Sequence, residues 1–178
     1  MQLILRPLTL PILWMLVLPV QATDSLFTYD QFQADMDIRA IEAHDQSRIW
    51  STCAVVHELV AMMDDKGPDS ASAKQSANQG NGAKLASGIV FIVDYFEETD
   101  APDPTAFASK WEMAKMVMES NHETVTTSIL SIMDADPVAF SEKLLPTYSY
   151  CLNILDVQQF YIDLWRELYG SGLLAPQG

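Results

Sequence analysis

From Gln46 to Asp65 the apolar positions Ile49, Trp50, Cys53, Val56, Val60 and Met63 recur at spacings of three and four. That period predicts an amphipathic helix, ended by Gly67-Pro68. Upstream, Thr28-Tyr-Asp-Gln31 has the form of a capping box and predicts a polar-rich helix through about Ala43. Downstream, DSASAKQSANQGNGAK carries no large apolar residue. It reads either as a polar loop or as the Ala-rich first half of a helix, with Gly80 and Gly82 weighing against helix. In LASGIVFIVDYF, Leu85, Ile89, Ile92, Val93 and Phe96 keep helical spacing. The β-branched content would also suit a strand, but no second alternating segment is at hand to pair with it. The expectation is a helix over residues 84–98.

Two later boundaries are sharper. Asp103-Pro104 and Asp136-Pro137 each set a side-chain acceptor before a proline at the first helical position. A helix over 104–134 would carry Phe107, Trp111, Met118, Val125, Ile129 and Ile132 on one face. The last periodic stretch holds Leu145, Tyr148, Cys151, Leu155, Ile162, Trp165 and Tyr169, and stops at Gly170. Pro146 is expected to kink it, or to divide it into a short helix and a long one over 147–169. Amphipathic helices with short connections predict an all-α fold: an antiparallel helical bundle of four to five helices, in a single domain over residues 23–178.

The N-terminus reads as a signal peptide over residues 1–22. One cation, Arg6, precedes an apolar run from Leu8 to Val20, and Val20-Gln21-Ala22 supplies small residues for cleavage. The run contains Pro11 and Pro19 and falls short of the roughly twenty residues of a spanning helix. A cleaved, soluble, periplasmic or secreted protein is the expectation.

The full chain has a net charge of −14. Cleavage would leave nine cations against twenty-four acids, or −15. Nucleic-acid binding requires clustered Lys and Arg, so this balance argues against it. It suits a basic protein partner, or simple solubility. Two cysteines remain, Cys53 and Cys151. In an oxidising compartment an even count predicts a disulfide, here between two core-facing stripes.

Candidate chemistry centres on two incomplete motifs. His57-Glu58-Leu59-Val60-Ala61 begins HExxH but places Ala61 where the second imidazole must stand. Cys53 and His57 could form half of a mixed metal site with Cys151, yet the disulfide reading is simpler. His57 then reads as a helix residue with a local hydrogen-bond partner in Tyr148. Glu119-Ser-Asn-His122 has the Glu-x-x-His spacing of di-metal bundles, but stands as a single copy with Ser120 and Asn121 on a solvated face. Haem ligation through His57 and one of Met62, Met63, Met113, Met116 or Met118 competes with their use as core filler. Acid pairs at Asp64-Asp65 and Glu97-Glu98 suit solvated helix ends. The expectation is no catalytic residue, no metal and no cofactor, and a protein that acts by binding, as an inhibitor or immunity-type protein masking a basic partner. A haem- or metal-carrying bundle and a structural accessory of the cell envelope are the alternatives.

Overall fold

A computed structural model describes residues 25–97 and 103–173. The leader expected at 1–22 lies outside them. The described residues are all-helical: a 3-10 turn at Ile38–Ala40, then α1 (Ala43–Met62), α2 (Ala71–Glu97), α3 (Pro104–Ala135), α4 (Pro137–Asn153) and α5 (Leu155–Gly170). None of these helices is long and apolar enough to cross a membrane.

Both proline-marked starts form as the sequence predicts. Asp103 accepts from the Ala106 amide, and Asp136 accepts from the amides of Val138 and Ala139. Each carboxylate satisfies N–H groups that have no partner inside their own helix. After α1 the chain turns through Gly67, whose φ of +87° is left-handed backbone that favours glycine.

Two expectations need correction, and one reading left open is decided. The polar-rich helix after Thr28 does not form. Residues 25–37 are irregular, and Thr28 accepts from Arg48 through its hydroxyl and its carbonyl instead of capping a helix. Phe27 and Phe32 pack edge-on against Tyr150, so tertiary contacts, not helical hydrogen bonds, hold this segment. Next, residues 71–83 are helix, continuous with the segment expected at 84–98. Finally, Pro146 lies inside α4, and the division falls at Ile154. The carbonyl that Pro146 leaves without a donor belongs to Glu142, an exposed residue. Beside it, Thr147 donates to the carbonyl of Lys143 and accepts from the Leu26 amide, pinning the N-terminal segment to α4.

The undecided stretch is helical because of what it packs against. Ala73, Ser76, Gly80, Ala83 and Ser87 form a buried row at spacings of three and four. Small side chains let the α2 backbone approach α1. A Cβ on Gly80 would stand 3.1 Å from the Ala54 carbonyl oxygen. The cost of glycine in a helix interior, about 1 kcal/mol, is outweighed by this close packing.

Cys53 and Cys151 are joined, with Cα atoms 5.4 Å apart. The bond closes a loop of 98 positions, for which chain entropy alone gives about 4–5 kcal/mol. α1 and α4 run antiparallel, as His57 meets Tyr148 one turn beyond Cys53. Ile49 and Trp50 share a core with Ile154, although the ring that Trp50 meets edge-on is that of Tyr161. A second cluster of Val55, Val56, Leu59, Val125, Ile129 and Phe140 ties α1 to α3 and α4.

Candidate functional site

The two incomplete motifs sit on neighbouring helices, and each gives one residue to the same polar contact. Glu58 of α1 and His122 of α3 stand 3.5 Å apart, Oε2 to Nε2. Lys84 of α2 adds its charge nearby. Burial pushes the His122 pKa down; Glu58 pulls it up, Lys84 pushes it further down, and the net direction is down. The contact is a polar seam between α1 and α3, with the Lys84 charge of α2 alongside. Asn121, expected on a solvated face, extends the α1–α3 seam by donating to Ser47 at 2.9 Å.

The other halves of the motifs lie elsewhere. His57 is fully buried, with no hydrogen-bond partner on either ring nitrogen. Its ring meets Tyr148 edge-on at 5.4 Å, so the neighbour is the one expected but the hydrogen bond is not made. With no partner for its charged form, burial drives its pKa down to about 4. Glu119 is exposed on the far side of α3 from the core. Neither motif delivers its pair of ligands to one point. Among the described residues no group of three or more His, Cys, Asp or Glu side chains stands where it could hold a metal.

None of the methionines weighed as haem ligands is buried, as His57 is. Met62, Met63, Met113 and Met116 are among the exposed large apolar residues, Met62 at 71% and Met116 at 64%. Met118 packs at the α2–α3 contact, with Sδ 3.3 Å from where a Cβ on Gly88 would be.

What the motif search passed over is the outer stripe of α3. While Phe107, Ala114, Val125 and Ile129 face inward, Glu112, Met116, Glu119, Glu123, Leu130 and Asp134 are all exposed. Their spacings of four, three, four, seven and four place them on one line along the helix. Glu112 is partnered by Lys115 at 2.7 Å, a pair on the surface and so weak. The stripe thus combines four carboxylates with two exposed apolar side chains. Its signal was available in the sequence as the complement of the buried face.

Comparison of the chain with protein-family models, curated proteins and solved structures gives no match.

Proposed function

We propose that the protein works by binding, as an exported inhibitor or immunity-type protein that masks a basic protein partner, and that the outer stripe of α3 is the face it uses. The observation that carries this reading is the stripe itself. Carboxylates alone would keep the surface solvated, but Met116 and Leu130 set among them give a partner apolar contact as well as charge. Interfaces use that combination: polar and charged groups at the rim set encounter and register, and methionine is enriched in the buried part. The net charge of −14 extends the attraction beyond the patch. A disulfide across the core and the packed α1–α2 pair hold the stripe on a rigid support, which limits the entropy lost on docking. The disulfide also fits export to the periplasm or beyond, in keeping with the leader read at residues 1–22.

The test is affinity capture from the native extracytoplasmic fraction. Wild-type protein is expected to retain a basic protein at low salt and release most of it at high salt, since the attraction is screened. The variant Glu112→Lys/Glu119→Lys/Glu123→Lys should fold and retain none. Equal retention by the variant would remove the stripe from the account.

A further inference from the structure

We propose that the protein pairs with a second copy of itself along the outer face of α4, the two helices antiparallel about a two-fold axis at Leu145. This surface is separate from the α3 stripe. The inner face of α4 is committed to the core through Phe140, Thr147, Tyr150 and Cys151. On the opposite side Val138, Leu145 and Leu152 are 69%, 70% and 38% exposed. Apolar side chains exposed singly need no explanation, but these three are spaced by seven and line one side of a helix. A seven-residue apolar repeat is the pattern by which one helix packs along another.

The symmetry of the line identifies its occupant. Counted from Leu145, its exposed residues fall at −7 (Val138), −4 (Ser141), +4 (Ser149) and +7 (Leu152). At about 100° per residue, all four lie within roughly 40° of Leu145 around the helix axis. Read in either direction, the order is apolar, Ser, Leu, Ser, apolar. A two-fold interface requires a surface complementary to itself, where residue i meets j and j meets i. An antiparallel copy satisfies this. Leu145 packs on its own counterpart, Val138 on Leu152 at both ends, and Ser141 faces Ser149. The short serines leave room for the leucines, so the axes can close to the roughly 8–10 Å of packed helices. Glu142, at the margin of the line, comes opposite Tyr148 and not opposite its own copy.

Charge points the same way. The chain carries −14, so two copies repel wherever acidic faces meet. α4 holds one acid and one cation, Glu142 and Lys143, and the line itself holds neither. Such a face gives a basic partner nothing to pair with, but lets two copies meet without opposing like charges. Three apolar side chains from each copy make a contact smaller than a permanent interface, so the association is weak and reversible. Because the copies repel at longer range, salt should strengthen it. Capture on the α3 stripe has the opposite salt dependence.

The test is sedimentation equilibrium of the disulfide-bonded protein from about 10 µM to about 1 mM. A monomer–dimer equilibrium is expected, with a Kd on the order of 100 µM. It should be several-fold tighter in about 0.5 M than in about 0.05 M sodium chloride. Leu145→Glu, at an exposed position, should keep the helical circular dichroism and weaken the dimer by about ten-fold or more, since it opposes two carboxylates on the axis. It should leave capture of a basic protein unchanged. Cross-linking reads the geometry. On mild oxidation Leu145→Cys should link to its own copy and Val138→Cys should not, whereas a mixture of Val138→Cys and Leu152→Cys should link. The proposal is overturned by monomer alone up to about 1 mM, or by a Leu145→Glu dimer as tight as wild type. Self-linking of Val138→Cys as efficient as that of Leu145→Cys would also overturn it. So would loss of basic-protein capture in Leu145→Glu, which would assign the α4 face to that partner.

Discussion

His57 shows how burial alone can set the chemistry of a side chain. It lies one turn beyond the disulfide half-cystine Cys53, enclosed by Tyr148 and by the close approach of α2 at Gly80. Its folded pKa of about 4 lies below the ordinary 6.5. Between those values the unfolded chain binds a proton that the folded protein does not. The stability contribution is therefore fully present above pH 6.5 and is lost as pH falls toward 4. The shift corresponds to about 3 kcal/mol. Urea unfolding across this window should show a falling midpoint, and His57→Leu should flatten that part of the profile. An unchanged profile in the variant would mean that other groups carry the acid sensitivity. The neighbour of His57 was legible from the Cys53–Cys151 register, because bonding two antiparallel helices fixes which turns face each other. That the imidazole makes no hydrogen bond was not legible, since it depends on the ring orientation of Tyr148.

Helices announced themselves where large apolar residues kept the period, and at the two Asp-Pro starts. They were hidden where burial used small residues. The row Ala73, Ser76, Gly80, Ala83 and Ser87 is as periodic as any apolar stripe, but its residues have low hydropathy and two are serines. Its meaning is close backbone approach, which requires knowing that α1 lies against it. Gly80→Val should thus destabilise the protein by about 1–3 kcal/mol through overpacking at the α1–α2 contact, measured as a lower thermal midpoint. A neutral result would show that the two helices can separate without loss. The opposite error came from local signals. Thr28-Tyr-Asp-Gln31 has the residues of a capping box, but Tyr29, Phe32, Met36 and Ile38 reach the core from irregular backbone, with Phe27 and Phe32 edge-on to Tyr150. Pro146 misled for a similar reason: a helix keeps a proline when the freed carbonyl belongs to an exposed residue and the flanking turns are anchored, as Thr147 and Cys151 anchor α4.

For the molecule as a whole, the all-α bundle and its staple were readable because periodicity, capping and cysteine count each point to them without long-range information. The sites were less so. Glu58 meets His122, and Ser47 meets Asn121, across 64 and 74 positions of sequence. No spacing rule reports such pairs. The α3 stripe and the α4 line are the exceptions, each being local to one helix, and the proposed function rests on the first. The most direct test places a photo-crosslinking residue at Met116 and, separately, at Tyr169, an exposed aromatic on α5. Irradiation in the native compartment should give an adduct with a basic protein from position 116 and none from position 169. An adduct from 169 alone, or from neither position, would contradict the assignment of α3 as the binding face.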